Sequence, residues 1–128
     1  MSEIRATTIS DETGNGPIAL TKQSAVKAWL RFNGTGTVAI NGSFGISSLA
    51  DNNSGSYTVN FTNNMDTVNY SVSGAANHDS NFTDTLEPTN YLVGSSQLYT
   101  YSRGTSNTGS SATRDLTFVN ASYNGDLA

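Results

Sequence analysis

Apolar side chains fall at every second position through much of residues 27–73, and no other long run keeps a period so well. A period of two is what half-buried strands require, and Gly, Asn, Asp and Ser fill the gaps between the runs. Ala28, Leu30 and Phe32 alternate with Lys27, Trp29 and Arg31, and Gly34-Thr35-Gly36 has the glycines that a short hairpin link prefers. Pairing across that link sets Phe32 opposite Val38 and Leu30 opposite Ile40, so both apolar pairs share a face. The other face then carries Trp29 near Asn41 and Arg31 near Ala39. Phe44 and Ile46 predict a third short strand, with Leu49 out of phase and a bulge at Ser47-Ser48. Asp51 to Gly55 reads as a turn. Ser56 to Thr62 is the clearest strand, with Tyr57, Val59 and Phe61 directed inward. Asn63-Asn64-Met65-Asp66 makes another turn, and Val68, Tyr70 and Val72 alternate behind it. The expected fold is all-β: an antiparallel β-sandwich or open barrel with turn signals every ~8–12 residues.

The flanks are less regular. Residues 1–26 contain a short alternation (Ile4, Ala6, Thr8), a turn from Asp11 to Pro17, and a possible strand at Ile18-Ala19-Leu20-Thr21. Two short strands cannot fold alone, so this stretch must dock on something. It reads either as an N-terminal edge of the domain or as an attachment segment preceding a β-domain at 27–128. From Gly74 to Arg114 the pattern dissolves into apolar islands among Asn, Ser, Thr, Asp and Gly, which predicts variable loops at 75–114. The islands around Tyr91 and Tyr99 are expected to pair as strands. Asp115 to Tyr123 returns as a last strand, with Leu116 and Phe118 on one face and Val119, Ala121 and Tyr123 on the other.

Composition adds a constraint on the core. Only 35% of the 128 residues are hydrophobic and 12% are charged, so the chain is lean in apolar side chains without the high charge of a disordered protein. A lean core predicts that some apolar surface is buried between subunits. Trp29 fits this: burying its ring removes on the order of 200 Å² from water, against a small return from a surface stack with its cationic neighbours. Cover by a neighbouring chain or by the N-terminal segment is expected, with Trp29, Arg31 and Ala39 at the oligomer interface. The net charge of −4, with basic residues scattered singly, argues against nucleic acid. No apolar run is long enough for membrane insertion, and MSEIRATTIS has no apolar core of a secretory signal, so synthesis in a cytosol is expected.

Catalytic chemistry is sparse. His78 beside Asp79 could orient an imidazole, but no nucleophile context accompanies it, and with Asp84 the pair falls short of a metal-ligand set. Asp66, Asp79, Asp84 and Glu87 sit in turn-like stretches, a poor arrangement for the facing carboxylates of glycoside hydrolysis. The Asn-x-Ser/Thr triplets follow from an abundance of Asn, Ser and Thr. The expectation is a protein that is not an enzyme and needs no cofactor. Tyr91, Tyr99, Tyr101 and Arg103, set among Asn and Ser, have the chemistry of a paratope and are the candidate receptor contacts.

Lys27-Ala28-Trp29, Phe32 to Thr37, Ile46 to Ser48 and Tyr57 to Phe61 stand in an order and spacing that resembles a segment of tailed-phage fibre proteins, especially those of marine phages. The likeness covers about a third of the chain, and the opening MSEIRATTISDETGNGP resembles the leader of compact members. Asp66 stands where such proteins often have proline, and residues 74–114 match no fixed pattern. The resemblance implies a virion structural protein made in the host cytoplasm: a tail fibre with a homotrimeric β-domain at its tip. It would join phage tail or capsid proteins through the N-terminal segment and bind a bacterial surface glycan or outer-membrane protein. A capsid fibre or decoration protein is the alternative placement, and a glycan depolymerase the alternative of another class.

Overall fold

The computed structural model describes residues 26–78, 83–103 and 112–128. The segment at 1–26 expected to serve for attachment, Asp79 beside His78, and the 104–111 part of the expected variable loops therefore lie outside or at the edge of the described residues. Those residues form strands and no helix, as the alternation predicts. In chain order the strands are β1 (Val26–Asn33), β2 (Ala39–Phe44), β3 (Ile46–Asn53), β4 (Ser56–Phe61), β5 (Ser71–Asn77), β6 (Thr83–Thr89), β7 (Ser95–Arg103), β8 (Ala112–Thr113) and β9 (Phe118–Asn124). They make two antiparallel sheets packed as a β-sandwich. The first has the order β2-β1-β9-β5; the second has β3-β4-β7-β6, with β8 against β7.

Alternation builds the core between the sheets. Ala28, Leu30 and Phe32 of β1 and Val119, Ala121 and Tyr123 of β9 point inward from the first sheet. Tyr57, Val59 and Phe61 of β4 and Leu98 of β7 meet them from the second. Phe32 meets Tyr57 edge-on at 4.8 Å between ring centres, and Phe61 meets Tyr123 likewise at 4.9 Å. Truncating one of these buried aromatics costs about 3–5 kcal/mol, a large part of a small domain's stability.

The first hairpin departs from its expected register. Phe32 faces Ile40, not Val38, and Trp29 faces Phe44, not Asn41. Arg31 faces Gly42, and Ala39 faces Asn33. The cause is a longer link through residues 34–38 and a register shift between Arg31 and Phe32 that leaves Asn41 as the extra residue. Gly34 is required here: its amide donates to the carbonyl of Leu116 at 2.9 Å, and a Cβ would strike the Tyr57 hydroxyl.

Phe44 and Ile46 do not share a strand. Gly45 between them adopts φ +68° against the backbone of Lys27, and there the chain leaves the first sheet for the second. A side chain at that φ and that approach is excluded, so glycine allows the corner. The bulge expected at Ser47-Ser48 is present as a register shift between Ile46 and Ser48. On the opposite side the chain crosses from β5 at the edge of the first sheet to β6 at the edge of the second. Both sides are thus bridged by consecutive strands.

Residues 74–114 contain more strand than their composition suggests. β7 pairs with β4 on one side and β6 on the other, so the Tyr99 region is a central strand whose partner is not the Tyr91 region. Tyr91 lies outside any strand, between β6 and β7. Pro88 occurs on β6, an edge strand, where a missing N–H is tolerated. Met65, read as part of a turn, is buried and bridges to Leu127. Val68 is exposed outside a strand, and Leu116, expected beside Phe118, is buried while Phe118 faces out.

Candidate functional site

Sandwiching two sheets leaves each with one outer face, and these two faces differ in chemistry. On the first sheet, Trp29, Phe44 and Phe118 are 41%, 61% and 41% exposed. The β1–β2 register sets Trp29 beside Phe44, and the indole lies over Gly42. The Arg31 guanidinium stands 5.6 Å from the centre of the Phe118 ring, a cation–π arrangement. Ala39 is exposed at the end of β2. The structure brings Trp29, Arg31 and Ala39 onto one face and adds Phe44 and Phe118, which sequence periodicity had assigned to other surroundings. Exposed Val26 and Ile40 lie on the same pair of strands.

The second sheet presents hydroxyls, amides and tyrosines. Ser96, Leu98, Thr100 and Ser102 of β7 are buried, so Gln97, Tyr99 and Tyr101 point the other way. The rings of Tyr99 and Tyr101 are near-parallel, with centres 6.3 Å apart and planes at 24°. Glu87 of β6 lies opposite Tyr99, and its carboxylate is near the Tyr101 hydroxyl. Partial desolvation, and then that carboxylate, raise the Tyr101 hydroxyl above its ordinary pKa. Ser56 and Thr58 of β4 face Tyr99 and Gln97. Two side-chain bonds order the far half of the face: Asn52 Nδ2 donates to Thr58 Oγ1 at 2.9 Å, and Asn60 Nδ2 to Ser48 Oγ at 2.9 Å.

The candidate contact residues therefore separate. Tyr99 and Tyr101 share the outer row of β7. Arg103 ends the same strand, opposite Thr83. Tyr91 belongs elsewhere: it packs on Tyr70 at 5.2 Å between ring centres, flanking the core. From sequence alone Glu87 stands out only as one of four acids in turn-like stretches. Register places it beside the tyrosines, which periodicity in so polar a stretch could not reveal.

Other tyrosines are structural. Tyr57 donates to Asp115 Oδ1 at 2.9 Å, and the same oxygen accepts the Gly55 amide at 2.7 Å, which ties the β3–β4 turn to the chain before β9. Burial, followed by the Asp115 carboxylate, raises the Tyr57 pKa well above 10. Tyr70 reaches the carbonyls of Leu92 and Ser95, each at 3.0 Å, and burial pushes it up to about 12. Tyr123 accepts from Ser96 Oγ at 3.0 Å and is also raised, chiefly by burial.

For catalysis the geometry offers little to build on. Asp84 and Glu87 project to opposite faces of β6, because they are three residues apart on a strand of period two. The His78 amide donates to Asp84 Oδ2 at 2.7 Å, so this carboxylate orders the strand end. Among the described residues no group of three His, Cys, Asp or Glu could hold a metal ion.

Fold and surfaces together define an antiparallel β-sandwich with one aromatic and one polar outer face. No family model, curated protein or solved structure matches the chain.

Proposed function

We propose that this chain is a phage virion structural protein: a tail fibre whose β-domain assembles as a homotrimer and binds the host cell surface during adsorption. The observation that carries the reading is the division of labour between the two outer faces. Three large aromatic side chains, Trp29, Phe44 and Phe118, left in water on one sheet face are unfavourable for a lean domain, and burial against copies of the same chain removes that cost. Tyrosines among amides and hydroxyls on the opposite sheet remain free for a surface ligand. The fibre-like order of motifs between Lys27 and Phe61 supplies the phage context. Residues 1–26 are the attachment segment in this reading, joining the domain to the particle. A capsid fibre would use the same two faces, differing only in where the attachment segment inserts.

Localising the protein on intact particles by immuno-electron microscopy tests the placement: label at the tail tip is expected, and label confined to the capsid would move it to the head. Deletion of residues 1–24 should abolish incorporation into particles while leaving the circular dichroism of the β-domain unchanged. Normal incorporation of the truncated chain would refute the attachment role.

A further inference from the structure

The exposed large apolar residues of the described strands, Val26, Trp29, Ile40, Phe44 and Phe118, all belong to the first sheet. The second sheet exposes none, although its central strand β7 carries two tyrosines on the outside. Such a face suits a ligand that is apolar on its ring faces and polar around its edge. A sugar ring has that character: its C–H faces stack on aromatic rings, and its equatorial hydroxyls need donors and acceptors in the flanking positions.

We propose that the outer face of the second sheet binds an extended, uncharged glycan along β7, with Tyr99 and Tyr101 as the stacking platform and Glu87, Gln97 and Thr58 as its polar contacts. This rests on the host-binding reading above and names the ligand class at that surface. The two rings already lie near-parallel on adjacent outward positions, so little side-chain freedom is lost on binding. Glu87 stands opposite Tyr99 on the same face, and its carboxylate oxygens are acceptors for a sugar hydroxyl. Thr58 is held by Asn52, whose amide keeps a further donor and its carbonyl acceptor. Contacts fixed in this way bind polar groups without the ordering cost of flexible Lys or Arg side chains.

Charge selects among glycans. The chain carries a net −4, and Glu87 is an acid within the contact row itself. An acidic polysaccharide or nucleic acid would be repelled, whereas an uncharged chain of hexoses meets hydroxyls, amides and a carboxylate acceptor. Among the described strands, the exposed apolar anchors that a protein receptor would call for lie on the first sheet and not on this face.

The test uses the fluorescently labelled full chain on host cells treated with either periodate, which cleaves vicinal diols, or protease. Binding should disappear after periodate, survive protease, and be insensitive to added salt. The Y99A/Y101A double variant should bind at least roughly tenfold more weakly, while Y99F/Y101F, which keeps both rings, stays close to wild type. Circular dichroism and native mass should be unchanged in both variants. Binding lost to protease and kept after periodate would overturn the glycan and leave host binding standing. Salt-sensitive binding would overturn the uncharged class, and full binding by the alanine variant would overturn the site. No binding to untreated cells would sink the host-binding reading together with this one.

Discussion

The two sheets share one core yet differ on their outer sides, and the difference follows from which residues occupy the outward half of each alternation. β1 and β2 place Trp29 and Phe44 on the outside of strands that also supply Leu30 and Phe32 to the core. Such strands are apolar in more positions than a sandwich needs, and the surplus is available for subunit contact. β4 and β7 alternate strictly: Tyr57, Val59, Phe61 and Leu98 face in, while Thr58, Asn60, Gln97 and Tyr99 face out. A sheet with no surplus apolar surface can stay in water and still offer aromatic rings. One scaffold can therefore separate self-association from recognition without a second domain.

The sharpest way to break the comparison is through what the faces share. Phe32→Ala removes a ring packed between the sheets and should lower unfolding free energy by about 3–5 kcal/mol in a urea titration. Both functions should fail together, because both faces rest on that layer. Retention of a normal denaturation midpoint would mean the sheets are held together by something other than this core.

A smaller effect is expected from Tyr57→Phe. It keeps the ring against Phe32 and removes the hydroxyl that donates to Asp115, at a cost of about 1–3 kcal/mol. Neither oligomer state nor cell binding should change, since the bond lies within the sandwich. Loss of trimer in this variant would show that the turn at Gly55 reaches the subunit contact.

A further effect is alkaline. Tyr70 is raised to about 12, and Tyr57 and Tyr123 are raised as well, so all three are neutral in the fold well above their unfolded value near 10. Their contribution is fully present below pH ~10 and is lost as pH rises through the folded values. Midpoints measured from pH 9 upward should be level at first and then fall, and Tyr70→Phe should make the fall shallower. An unchanged slope would remove Tyr70 from the coupling.

The same contrast explains what was legible in the sequence. β1, β4 and β9 have large apolar residues at alternate positions, so their inward faces could be read directly. β7 hides its inward face behind small hydroxyl residues: Ser96 is satisfied by Tyr123, and Thr100 donates to the carbonyl of Arg114 at 2.6 Å. At those two positions hydrogen bonds replace apolar contact, so a hydrophobic pattern does not register the strand. β6 pairs polar Thr and Asp with Leu86 and was missed for a similar reason. The register of β2 depends on one extra residue at Asn41, and the Gly45 corner changes sheets without altering the local alternation. The aromatic face was legible only at Trp29; Phe44 and Phe118 join it through pairing across strands. Of the tyrosine site, Tyr99 and Tyr101 were visible as residue types, while Glu87 and the exclusion of Tyr91 needed the topology.

The central claim is that the outer face of the first sheet holds copies of this chain together while the second sheet stays free. Native mass spectrometry of the full chain beside its W29S/F44S variant tests it most directly. Losing two large aromatic contacts, each worth about 1.5–3 kcal/mol on burial, should raise the dissociation constant by well over roughly a hundredfold. The account predicts trimer for the wild type and folded monomer for the variant at the same concentration. A monomeric wild type, or a variant that remains trimeric, would contradict it.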